Sequence, residues 1–259
     1  MPPSPRRPAA PKKPSFSPTR FATYLRCPLA HRFAYLEGLR GRFSRPRPQT
    51  SLGASLHRVL DAYQREGGAE AMSEQDLLSR LESTWASAGY TSREQEQESL
   101  RQAREMVVSF RAPDEGRRAT TLLTEKMLKV DRGPYLLTGR LDRVGELPGG
   151  ELEILDYKSG RSTLTEEDVL GDLGLKVYET LVRAHYPGRE VRVSIHALRA
   201  SLKVTVRRSE EESAQVARWL DDLAAEILAD ETHEPRVLEA CADCDFLRIC
   251  PAARRRPEG

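Results

Sequence analysis

The clearest periodicity in the chain lies between Glu210 and Leu228, where Val216, Ala217, Leu220, Leu223, Ala224, Ile227 and Leu228 fall on one face of a helix. Near the other end, Ser17 followed by Pro18 makes an N-cap and first-turn pair, so a helix is predicted from there to about Arg26. Cys27-Pro28 breaks it, and a second helix is expected through Ala30–Leu36. A loop rich in Arg, Pro and Ser (Arg40–Thr50) leads to a helix over Leu52–Gln64. Two polar-surfaced helices, Glu74–Ser87 and Ser92–Arg111, complete a helical N-terminal region. The texture then changes to strand-like runs over Thr120–Val130, Tyr135–Glu146 and Glu151–Tyr157, with Gly133-Pro134 and Pro148-Gly149-Gly150 as turns. A helix over Glu166–His185 and strands over Glu190–Leu198 and Leu202–Arg207 follow. There is no internal repeat.

Composition adds one asymmetry. The formal net charge of the 259 residues is only +2, yet residues 1–50 carry eleven Lys/Arg against one acid, Glu37. A basic end on a near-neutral chain suits a polyanionic partner. Residues 1–14 alone read equally as a flexible, solvated tail. No apolar run approaches the roughly 20 residues needed to span a bilayer. The Pro/Arg/Lys-rich start lacks the apolar segment of a signal peptide, so no membrane association and a cytosolic location are expected. In that compartment thiols stay reduced, and clustered cysteines more often bind metal than pair.

All four cysteines fall into one pattern, Cys27 alone and then Cys241-x2-Cys244-x5-Cys250. Four thiolates are what a tetrahedral zinc or an iron–sulfur cluster requires. The distance in sequence between the first and the rest means that such a centre would tie the two ends of the chain together. The Cys-x5-Cys extension with one remote cysteine is unlike a zinc ribbon, which has two close pairs.

Between them lies an acidic constellation. Asp142 falls late in one predicted strand and Asp156 late in the next, with Lys158 two residues on. Alternate strand residues share a face, so Asp156 and Lys158 project together and Tyr157 points away. In-register pairing would add Asp142. Two carboxylates suit Mg2+ or Mn2+, and a neighbouring lysine can position water and offset transition-state charge. The bland alternative is a surface Asp–Lys pair of little consequence. Against it, Ile154-Leu155 bury the strand just before Asp156, and a buried aspartate is costly unless paired.

Gly139-Arg-Leu-Asp142, then Ile154-Leu-Asp-Tyr-Lys-Ser-Gly160, and upstream Gly53-Ala-Ser-Leu-His57, resemble the core motifs of PD-(D/E)xK nucleases of RecB type. Ser15-x-Ser17-x6-Tyr24-x2-Cys27-Pro28 and the closing cysteines with Pro251 are similar to the iron–sulfur subset, which includes AddB-type nucleases and CRISPR-adaptation exonucleases. The resemblance runs from Ser15 to Pro251. It implies an α/β fold with a restriction-endonuclease-like core, a central mixed β-sheet flanked by helices. The expected organisation is a tail over 1–14 and one nuclease domain over 15–259, divided into a helical region (15–115), a catalytic core (116–230) and an iron–sulfur knuckle (231–259).

The resemblance also implies roles. His57, Asp142 and Asp156, with the backbone carbonyl of Tyr157, would hold Mg2+ or Mn2+, and Lys158 would act on the water and the transition state. Cys27, Cys241, Cys244 and Cys250 would carry a 4Fe–4S cluster, with structural zinc as the alternative. Arg20, Arg26, Arg32 and Arg248 could meet phosphates near this centre, and Tyr178 would contact DNA. One departure stands out: the family's Gln-x3-Tyr helix reads Gly174-Leu-Lys-Val-Tyr178, with glycine in the glutamine position. The implied activity is a DNase on single-stranded or frayed DNA in repair or recombination. No phosphate-binding loop occurs, so any helicase would be a separate partner. The rivals are a non-catalytic DNA-binding module, drawn from Gly174, and a zinc-stapled interaction protein.

Overall fold

A computed structural model of the chain describes residues 13–111 and 119–255. Six strands form one mixed sheet: β1 (Ser15–Phe16), β2 (Thr120–Asp131), β3 (Leu136–Glu146), β4 (Leu152–Lys158), β5 (Val191–Ala197) and β6 (Leu202–Val206). β3 organises it. β2 runs antiparallel along the whole of one edge of β3, from Thr120–Glu146 to Asp131–Leu136. The opposite edge is shared: β1 pairs in parallel with Leu136 and Leu137, and β4 pairs antiparallel with Arg143 to Glu146. Residues 138–142 therefore have no strand on that edge among the described residues, and the sheet opens there. β5 lies parallel to β4, and β6 closes the order antiparallel to β5.

Helices cover both faces. α4 (Pro48–Arg65), α5 (Glu74–Ser83) and α6 (Arg93–Arg111) bury Leu56, Leu60, Leu77 and Val107 against Leu155 and Tyr157 of β4. The other face carries α8 (Leu173–His185), with α1 (Pro18–Arg26) and α9 (Glu210–Ala229) packed beyond it; Leu175, Leu181 and Leu220 meet Leu152 and Ile154 there. β4 is thus covered on both sides, and Leu152 to Tyr157 are all buried. α2 (Pro28–His31), which runs on into a π-helical turn over Arg32–Leu36, and α3 (Arg40–Phe43) lie beside the C-terminal 3-10 turns. α7 (Glu166–Gly171) leads into α8. No helix of the described residues is long and apolar enough to cross a membrane.

Three expectations need correction. The helix expected over Glu166–His185 is two helices, because Asp172 adopts an extended ψ of 119° and caps α8, accepting from the Leu175 amide at 3.0 Å. The loop expected over Arg40–Thr50 contains α3 and the first turn of α4, which starts at Pro48 in the favoured first position. Of the expected tail, Lys13 and Pro14 are docked: Lys13 pairs with Asp131 at 2.7 Å, and the Pro14 carbonyl accepts the Leu136 amide. The rest of the tail lies outside the described residues, as does the expected boundary at 115.

Candidate active site

Where β3 and β4 part, three side chains converge. The register that pairs Arg143 with Leu155 would next set Asp142 opposite Asp156. The ladder instead ends, and the Asp142 Oδ2 accepts the Tyr157 amide at 2.8 Å in its place. The other oxygen, Oδ1, lies 3.2 Å from Nδ1 of His57, which α4 presents from above the sheet. Glu125 of β2 completes the group, with Oε1 3.1 Å from the same ring nitrogen. One ligand atom each of His57, Glu125 and Asp142 fall within 4.8 Å of one another, as around a single cation. Glu125 reaches the site at a backbone cost. Its φ is +44°, in the left-handed region that non-glycine residues avoid. Nothing in the sequence pattern singled it out, because its place opposite Asp142 depends on how β2 registers with β3.

The electrostatics fit a site built for a cation. Burial works against charge on the His57 imidazole, but Asp142 and then Glu125 outweigh it and raise its pKa to about 10. Arg140, from the Gly139-x-x-Asp142 motif, pairs with the second Glu125 oxygen at 2.7 Å.

Asp156 does not join this triangle. Its two-residue spacing from Lys158 puts the ammonium on the same face, and its Oδ2 lies 2.8 Å from Nζ. Burial pushes the Asp156 carboxyl up, against the pull of Lys158. Lys158 also lies 3.4 Å from Oδ2 of Asp172. Burial opposes its charge, yet Asp156 and Asp172 more than offset this and hold it above the ordinary lysine range. These contacts favour the charged ammonium of Lys158.

The model of the PD-(D/E)XK nuclease superfamily matches residues 15–251. The chain belongs to that superfamily. Asp142, Asp156 and Lys158, read from the sequence as an Asp … Asp-x-Lys pattern, lie within the matched residues. No curated protein matches the chain in sequence. Among solved structures, a candidate exonuclease from Eubacterium rectale is 13% identical, with 95% of this chain and 91% of that one covered at a TM-score of 0.56. A second, SSO0001, is 14% identical over 94% and 88% at a TM-score of 0.38, too remote to argue from. The first likeness is one of fold: the mixed sheet with helices on both faces is that of restriction-endonuclease-like proteins.

Gly139 has a local reason. A Cβ at Gly139 would lie 2.9 Å from both Leu181 and the Tyr178 ring, so α8 can cross β3 this closely only over a glycine. Tyr178 thereby faces the acidic site. Burial and then Asp156, Asp142, Asp172 and Glu125 keep its phenol neutral.

The expected phosphate contacts are differently placed. Arg20 is spent within the fold: it donates to His31 Nε2 at 3.1 Å and to the Ser15 carbonyl at 2.9 Å, and lies 4.5 Å from the Phe16 ring centre. Arg32 pairs with Glu37 at 2.7 Å. Arg26 is exposed, beside a groove shared with Arg40 and Tyr35, and has no ion pair among the described residues. Arg248 is exposed on the C-terminal turns.

Cys27, Cys241, Cys244 and Cys250 are free and half-buried, and all four line one pocket with Leu29, Phe33 and Phe246. Around it Phe246 contacts Phe33 and Phe43, and Arg47 pairs with Asp245 at 2.9 Å, so the C-terminal turns rest on α2 and α3. No three of these sulfurs come within 4.8 Å of one another.

Proposed function

We propose that the chain is a divalent-metal-dependent phosphodiesterase that cuts DNA, working as an exonuclease on single-stranded or frayed ends in repair or recombination. The observation that carries this is the triangle of His57, Glu125 and Asp142 beside the Lys158 ammonium, which is held between Asp156 and Asp172. The two triangle carboxylates suit Mg2+ or Mn2+, and the imidazole tolerates Mn2+ well. On this reading His57, Glu125 and Asp142 hold the cation, with Asp156 and the Tyr157 carbonyl on its β4 side. A cation there supplies a water of lowered pKa and offsets charge on the scissile phosphate. Asp142 orients the end of β4 through the Tyr157 amide, and Lys158 donates to the phosphate oxygens as negative charge builds on them. The Eubacterium rectale protein of similar fold bears an exonuclease designation, which agrees with this mode of action.

With no phosphate-binding loop in the sequence, any unwinding falls to a separate helicase. We place a 4Fe–4S cluster on Cys27, Cys241, Cys244 and Cys250, with zinc as the alternative. The convergence of all four on one pocket supports it.

Cleavage of DNA labelled at either end, single- and double-stranded, tests the enzyme reading. Wild-type protein should degrade it with Mg2+ or Mn2+ and stop on chelation. Asp142→Asn should lose at least about a hundred-fold in rate while still binding DNA. Binding without cleavage by the wild type would favour the non-catalytic module, for which Gly174 is the motivating departure.

A further inference from the structure

We propose that Asp172 is a positioning residue for Lys158, and that position 174 is glycine to make room for it. The inference rests on the nuclease reading and concerns the same site. Asp172 sits at the break between α7 and α8, where its extended backbone turns the carboxylate back over the first turn of α8. One oxygen, Oδ1, is fixed by the Leu175 amide at 3.0 Å. The other, Oδ2, lies 3.4 Å from the Lys158 Nζ. A carboxylate tied at one oxygen cannot wander, so Lys158 is held from two sides, by Asp156 on its own strand and by Asp172 across the gap.

Gly174 explains itself in the same terms. Its backbone φ is outside the left-handed region, so the glycine is not there for backbone freedom. A Cβ added at 174 would lie 2.9 Å from the Asp172 Oδ1 and 3.6 Å from the Tyr178 ring. The first distance is closer than side-chain carbons approach an oxygen. Any larger residue would push the carboxylate out of its cap and away from Lys158. The side chain missing at 174 and the carboxylate present at 172 are therefore two halves of one arrangement. This chain reaches its lysine from the helix start with a carboxylate at 172, where the family pattern has a glutamine at 174.

Kinetics of Asp172→Asn, Gly174→Ala and the double variant test it. Asparagine keeps an oxygen for the Leu175 amide, so the cap survives while the charge facing Lys158 is lost. Each single variant should lower kcat by about 10- to 100-fold, as loss of an outer partner of a site residue does. KM should stay within about two-fold of wild type. The double variant should be no slower than the slower single one, because both changes break the same contact. An Asp172→Asn enzyme with wild-type kcat, a change confined to KM, or multiplicative losses in the double variant would overturn the inference and leave the nuclease reading standing. A wild-type protein that cuts no DNA with either metal would overturn the nuclease reading, and the positioning role with it.

Discussion

His57 shows most sharply how residues here are set against their ordinary chemistry. With Asp142 at 3.2 Å and Glu125 at 3.1 Å from one nitrogen, its pKa lies near 10 in the folded protein, against about 6.5 unfolded. A folded pKa above the unfolded one stabilises while the ring is charged in both states, and that contribution fades as pH climbs between the two values. Metal-free protein should therefore lose stability from about pH 6.5 to 10, and His57→Gln should flatten that decline. A pH–stability profile by urea unfolding measures it; an identical slope in the variant would mean that His57 does not carry the proton. Glu125 is the residue the sequence concealed. Asp142, Asp156, Lys158 and His57 were legible because each sits in a short motif whose spacing names its chemistry. Glu125 sits in an ordinary alternating strand, and only long-range pairing of β2 with β3 brings it to the site.

At the scale of elements, patterns that report burial were readable and those that report breaks were less so. β4 was legible from its apolar run and α9 from its stripe. The Asp172 break was hidden because the apolar positions of α7 and α8 run on at helical spacing through it, although Asp is a good cap. β1 is two residues long and has no period to detect. α8 itself depends on Gly139: a methyl there would meet Leu181 and Tyr178 at 2.9 Å. Gly139→Ala should cost about 1–3 kcal/mol by overpacking. It should also move Tyr178 and slow cleavage. Thermal unfolding with parallel kinetics checks both; a variant unchanged in stability would show that α8 has slack over β3.

Over the whole molecule, the acidic site and the cysteine pocket use separate residues. The sheet opens between β1 and β4, and the acidic site occupies that opening. The C-terminal turns instead rest on α2 and α3, with four cysteines facing one pocket. The sequence places three of these cysteines close together and Cys27 far from them, and the four line the same pocket. Within the basic start, Arg20 donates to His31 and Arg32 forms a surface pair with Glu37, partners that charge counting cannot reveal. Protein purified without oxygen should be brown and contain about four irons per chain, the content of the cluster type proposed for these cysteines. Stoichiometric zinc without iron would replace the cluster and leave the acidic site untouched.

One divalent cation should bind among His57, Glu125 and Asp142. Anomalous diffraction from crystals soaked in Mn2+ tests it directly. A peak should appear within coordination distance of His57 Nδ1 and of both carboxylates and be lost in Asp142→Asn crystals. A peak that bypasses Glu125 and His57, or no peak at saturating Mn2+, would contradict it.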